Sequence, residues 1–293
     1  SVEYPNLRCK LLDLADEAPS DRLLAALSRE VALVDAPIQV AYREAQRYLP
    51  KVRQQRPSQP SEPLLREGGC YLIPGGLGGM GLSIAHDIAR CEKAKLALLS
   101  RRAFPARADW ADWLAKHETT DRTSTIIRQL REMESYGAQV RLLRADVADR
   151  AQMSAVIDRV KTELGPINGV IWAAGVIDYD GIIQRRDTEA FIANTRPKVA
   201  GLLVLEQLLD FETLDFVSLF SSIGNVYYKD KFGQVAYNVA NEFFDAYSLA
   251  YSGSAKVSTL VWCDWKNVGM SVDSIVKKYE GISRAEIDEL LED

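Results

Sequence analysis

Residues 69–89 read GCYLIPGGLGGMGLSIAHDIA. An apolar run meets a cluster of glycines, and apolar residues then recur at helical spacing. That order is strand, tight turn, helix. Gly75-x-x-x-Gly79-x-Gly81 at such a turn lets a pyrophosphate approach the backbone, while the helix N-terminus supplies unpaired N–H groups and positive potential. Gly75, Gly76, Leu77, Gly78, Gly79, Met80 and Gly81 therefore form a candidate dinucleotide cradle.

Downstream the rhythm repeats. KLALLS, AQVRLLRADV, INGVIWAAG, LDFVSLFSS and KVSTLVWCDW are short apolar runs, all but the last followed by an amphipathic stretch. Strands apolar throughout that alternate with helices imply a parallel sheet covered on both faces. The expected class is α/β, a doubly wound parallel sheet of Rossmann type. Residues 103–122, containing RADWADWLAKH, interrupt the pattern and read as a surface insertion with its own short helix. SRAEIDELLED carries a capping-box pattern at Ser283 and Glu286 and reads as an amphipathic helix cut short.

Upstream, RQQRPSQPSEPLLREGG over residues 53–69 is proline-rich and polar, the composition of a linker or strap. LRCKLLDL and PIQVAYRE have strand character and flank a helical SDRLLAALSREVAL, a βαβ-like unit too small to hold a core alone. The expected division is an N-terminal remnant at 1–52, a strap at 53–67 and the main domain at 68–293. The abrupt start suggests a piece of something longer.

Each strand end offers something to a dinucleotide. At the second, Ser100, Arg101 and Arg102 offer donors and positive charge where a ribose 2′-phosphate would lie, which favours NADPH over NADH. Asp146 and Val147 follow the third strand, where Asp146 is placed to meet an adenine amino group. Ala173, Ala174 and Gly175 follow the fourth, small enough to seat a nicotinamide ribose.

Composition excludes several alternatives. The net charge of −5 provides no global field for nucleic acid or anionic membrane. Cys9, Cys70, Cys91 and Cys263 lack C-x-x-C spacing and the two histidines, His86 and His117, are far apart, so no structural zinc is expected. No apolar run is long enough to span a bilayer and the N-terminus lacks a signal-peptide pattern, so a cytoplasmic location is expected.

The fifth strand ends LFSS, and Tyr237 follows near the start of a helix. Spacing of four puts Tyr237 and Asn241 on one helix face. Reducing a ketone requires a hydride at carbon and a proton at the developing alkoxide. A phenol of pKa about 10 is a reluctant donor at neutral pH unless a cation lies nearby. This helix has Asn241, and no lysine, where that cation is needed.

Tyr237-Asn-Val-Ala-Asn241 and RPKVAGLLVLEQLL together resemble the short-chain dehydrogenase/reductase superfamily, and within it the ketoreductase domains of modular polyketide synthases and related megasynthases. In that group the lysine of Tyr-x-x-x-Lys is moved upstream and asparagine stands in its place, which nominates Lys198 as the relocated cation. WAAGVIDYDGIIQRR, LDFVSLFSS, FGQVAYNVANEFFDAY and WCDWKNVGM also look like family segments in the expected order. The resemblance implies that Ser222 holds the substrate carbonyl with Tyr237, that Lys198 and Asn241 support the proton relay, and that NADPH is the cofactor. It also implies reduction of a 3-oxoacyl thioester on an acyl carrier protein, with further megasynthase domains as neighbours. A 2-oxoacyl reductase of a nonribosomal peptide synthetase and a non-reducing structural or epimerising domain are the alternatives. Ser221 competes with Ser222, and strand alternation allows only one of them to reach the site.

Several positions depart from the family pattern. Pro74 stands where threonine is usual, removing a hydroxyl and an N–H from the cofactor loop. Trp172 replaces a histidine, and the loop between Ser222 and Tyr237 is longer than usual. Stereochemical signatures are obscured at Ile177-Asp178-Tyr179-Asp180 and near Tyr228 and Lys229.

Overall fold

The computed structural model describes residues 3–4, 6–15, 20–33, 37–44, 46–56, 63–177, 182–226, 233–265 and 268–269. The Ser283/Glu286 helix start, Asp178-Tyr179-Asp180, Tyr228 and Lys229 lie outside the described residues. The chain divides into two compact units, residues 1–61 and 62–293.

In the first unit, β1 (Leu11–Leu14), α1 (Asp21–Ala32) and β2 (Gln39–Arg43) form the expected βαβ arrangement, with β1 and β2 parallel. A short β3 (Gln46–Tyr48) that sequence reading did not foresee pairs antiparallel to β2. Its few polar residues carry no periodicity. Ser20 caps α1 by accepting from Leu23 N. The apolar core is small, centred on Ala26, Val40 and Tyr42. An ionic cluster supplements it. Glu30, 1% exposed, accepts from Arg47 Nε at 2.6 Å, from Tyr42 Oη at 3.1 Å and from Lys10 Nζ at 3.1 Å.

In the second unit six described strands form a parallel sheet of order β6-β5-β4-β7-β8-β9. The strands are β4 (Cys70–Pro74), β5 (Lys95–Ser100), β6 (Gln139–Arg144), β7 (Gly169–Trp172), β8 (Phe216–Ser222) and β9 (Val257–Trp262). The helices between them are α2 (Gly79–Glu92), α3 (Trp110–Lys116), α4 (Arg122–Ser135), α5 (Arg150–Glu163), α6 (Thr188–Thr195), α7 (Val199–Leu208) and α8 (Val235–Ala250). This is the expected doubly wound α/β fold. Chain order reverses between β4 and β7, and a crevice opens at the carboxyl ends of strands on either side of such a reversal.

Two apolar cores cover the sheet. One gathers residues of α5, α7 and α8 with Trp172, and the other gathers α2 and α4 with Trp110. Residues 103–122 are mostly exposed and carry the expected short helix, with Trp110 the exception. The helix α3 exists, but Trp110 is 3% exposed, meets Phe104 edge to face and belongs to the second core. An aromatic side chain of that size adds a large apolar area to the core that α2 and α4 share.

Trp172 is buried completely, its ring edge-on to Phe244. A Cβ on Gly201 of α7 would stand 2.8 Å from its Cζ2, so the absent side chain at 201 makes the room that the indole fills. Among the described residues no helix is long and apolar enough to cross a membrane.

The Glu30 cluster gives the first unit an acid-labile point. Arg47, ahead of Lys10 and Tyr42, holds the Glu30 carboxyl down to about 2 against the opposing effect of burial. A depressed carboxylate contributes stability above its unfolded value near 4.5 and loses it as pH falls through the folded value. Glu30→Gln is expected to cost the first unit about 2–3 kcal/mol at pH 7. Hydrogen exchange over residues 11–48 should show this as lost protection, and the wild type should show the same loss between pH 4.5 and 2.

Candidate active site

The glycine-rich turn joins β4 to α2. Gly75 has φ +80°, and a Cβ there would come within 2.6 Å of Ala173 C and Ala174 N. Only glycine suits both the left-handed backbone and the close approach of the β7 end. Helix α2 starts after Gly78 with no side-chain cap, which leaves its first-turn N–H groups open toward the crevice. Leu77 and Met80 are partly buried against the second core and Gly81 is packed on the Gly75 carbonyl, so these three shape the turn from behind. Val268 and Gly269 lie against Gly79. Pro74 is tolerated as the last residue of β4, where its carbonyl still accepts from Ala173 N at 2.9 Å.

At the end of β5, Arg101 and Arg102 are exposed. The Ser100 hydroxyl accepts from Arg102 N at 3.1 Å, and the Arg101 carbonyl accepts from Arg144 Nε at 3.2 Å. After β6, Asp146 Oδ1 accepts from Ala148 N at 3.0 Å, and Oδ2 lies 3.8 Å from Arg196 Nη1. Val147 is buried against Gly201, so its side chain serves the core. Among the described residues no cluster of His, Cys, Asp or Glu is placed to hold a metal. The open glycine turn, the helix N-terminus and the basic tip of β5 fit a dinucleotide phosphate chain.

The polar centre lies between α7, β8 and α8. Lys198 stands just before α7 and is 5% exposed. Its chain runs beside Gly175, where a Cβ would be 3.0 Å from Lys198 Cε. Nζ donates to the Phe220 carbonyl at 2.5 Å and to Asn241 Oδ1. Buried Asn241 in turn donates through Nδ2 to the Tyr237 carbonyl at 2.9 Å. An ammonium can only donate, which fixes the amide oxygen toward Lys198. Lys198 Nζ lies 6.0 Å from the Tyr237 ring centroid and 4.8 Å from that of Phe244. The structure thus brings Lys198, Asn241 and Tyr237 together.

Burial brings the Lys198 amine down to about 7, opposed by the negative charge of Asp245. At neutral pH such an amine both holds and releases a proton.

The two serines differ. The Ser221 hydroxyl is turned to α8, donating to Asp245 Oδ2 at 3.1 Å. The Ser222 hydroxyl accepts from Gly224 N at 3.2 Å, which leaves its own proton to donate. Asp245, Asn225, Phe244 and the Phe220 carbonyl were not singled out by sequence reasoning. Asp245 continues the spacing of four from Tyr237 and Asn241, and that spacing was the available signal.

The family model of the KR domain matches residues 69–267. The chain belongs to the KR domain family. The 6-methylsalicylic acid synthase of Aspergillus clavatus is 35% identical over 277 residues, an alignment covering 93% of this chain and 15% of that protein. Polyketide synthase PksL of Bacillus subtilis is 29% identical over 277 residues, covering 92% of this chain and 6% of that protein. Among solved structures, the ketoreductase from the first phoslactomycin module of Streptomyces sp. HK803 superposes with a TM-score of 0.74 at 28% identity. That match covers 94% of this chain and 60% of the other. The KR domain thus corresponds to a small part of much longer synthases, and its family is one of pyridine-nucleotide-dependent oxidoreductases.

Gly75→Ala should be the most damaging single change in the glycine turn. Strain at positive φ and the clash with Ala173 should raise the dissociation constant of the nicotinamide cofactor about 30-fold, roughly 2 kcal/mol. Fluorescence titration with reduced cofactor reads this, with thermal unfolding as the control for the fold.

Proposed function

We propose that this KR domain reduces a 3-oxoacyl thioester, presented by an acyl carrier protein, to the 3-hydroxyacyl thioester, with NADPH as reductant. The observation that carries the reading is the Lys198–Asn241–Tyr237 linkage, which supplies a cation to a phenol whose own helix lacks one. The open glycine turn, with Arg101 and Arg102 at the tip of β5, supports NADPH over NADH.

Bound along that turn, the cofactor would supply the hydride that the carbonyl carbon takes up. Ser222 donates a hydrogen bond to the carbonyl oxygen. Tyr237 gives that oxygen its proton as negative charge develops there. The nearby Lys198 ammonium favours the phenolate so formed and returns a proton to it. Asn241 holds the ammonium through its amide oxygen, and the Phe220 carbonyl fixes it from the sheet. Gly175 admits the lysine chain where any side chain would press on it.

The substrate is tested with 3-oxoacyl and matched 2-oxoacyl N-acetylcysteamine thioesters while NADPH absorbance is followed. Faster turnover of the 3-oxo compound is expected, and preference for the 2-oxo compound would overturn the substrate assignment. Tyr237→Phe should lower kcat by about 10²–10⁴-fold with cofactor affinity unchanged. Full turnover by that variant would remove Tyr237 from the reaction.

A further inference from the structure

One turn beyond Asn241, on the same face of α8, Asp245 reaches back to the sheet. Its Oδ2 accepts from Ser221 Oγ at 3.1 Å and from Asn225 Nδ2 at 2.8 Å. Its Oδ1 is buried and takes no hydrogen bond among the described residues. Leaving a carboxylate oxygen dry and unpaired is costly unless a positive charge lies nearby.

These contacts close a ring. Lys198 holds the Phe220 carbonyl, the next residue Ser221 holds Asp245, one helical turn leads from Asp245 to Asn241, and Asn241 holds Lys198. Around Lys198 stand Tyr237, Asn241, Phe244 and the Asp245 charge from α8, the Phe220 carbonyl from β8, and Gly175 after β7. Of these, Tyr237 and Asp245 are the titratable groups.

We propose that Asp245 is a positioning residue of the reductase: through Ser221 and Asn225 it pins α8 to the tip of β8, and its negative charge balances the buried Lys198 ammonium. The inference rests on the reading of Lys198 as the cation of the relay. Tyr237 is held at the correct height only if α8 does not slide along β8. Asp245 supplies that stop two turns along α8 from Tyr237.

The test separates charge from shape. Asp245→Asn keeps the size and one acceptor oxygen for Ser221 and Asn225 and removes the charge, whereas Asp245→Glu keeps the charge. Lysine labelled with ¹³C at Cε reports the Lys198 titration directly, with its resonance identified by its loss in Lys198→Arg. In Asp245→Asn the Lys198 midpoint should fall by about one pH unit, and in Asp245→Glu it should stay near that of the wild type. The alkaline limb of kcat should follow, giving about a twofold loss at pH 6 and about a tenfold loss at pH 8.

An unmoved midpoint in folded Asp245→Asn overturns the inference and leaves the reductase reading intact. A moved midpoint in a protein that reduces no thioester supports the charge balance and overturns the reductase reading. If Asp245→Asn does not fold, Ser221→Ala retains the charge and removes the direct tie to β8, leaving only that through Asn225. A fall in kcat of about threefold with the Lys198 midpoint in place then supports the positioning role, and wild-type kcat overturns it.

Discussion

A lysine ammonium almost sealed from water is the constraint on which the site and its surroundings depend. Removing that charge from water costs several kcal/mol unless acceptors and counter-charge replace the lost hydration. Lys198 receives them from different elements: a carbonyl of β8, an amide oxygen of α8 and the face of Phe244. Asp245 adds charge from one turn further along α8. None of these is in place until α7, β8 and α8 are all docked. The arrangement around Lys198 is therefore complete only when the core on that face of the sheet is packed, and loosening any one element leaves the charge partly unpaired.

The same constraint explains why asparagine stands one turn after Tyr237. A lysine at 241 would set a second ammonium against Lys198 in a dry site, where like charges repel strongly. A neutral amide accepts from Lys198 on one side and donates to the Tyr237 carbonyl on the other. Lys198 and Asn241 thus make sense as a pair. Gly175, Gly201 and Trp172 show the supporting packing, since the lysine chain and the indole each fill space that a missing side chain leaves open.

The sheet was legible because each strand is an apolar run bounded by a helical pattern, and burial on both faces demands that. Lys198 was reachable only through Tyr237 and Asn241, because a lysine before a helix resembles any solvated lysine. Spacing along one helix was visible in VAYNVANEFFDAY, yet Asp245 was passed over because its partners Ser221 and Asn225 come from another part of the chain. The burial of Trp110 was not legible for the same reason. Local composition reads as an insertion, while burial depends on what α4 presents to it. The polar β3 carried no periodic signal because it is fully exposed.

Helix α8 can be read as an electrostatic column. Tyr237 lies in its first turn, where the helix dipole presents positive potential. Asn241 follows as a neutral coupler and Asp245 as a fixed anion, each one turn further along. Lys198 enters from the side at the level of Asn241, with its Nζ 6.0 Å from the Tyr237 ring centroid. With burial bringing its amine down to about 7, the lysine can hold or release a proton at neutral pH. On the proposed reading of the relay, that proton is the one returned to the phenol after Tyr237 has given up its own.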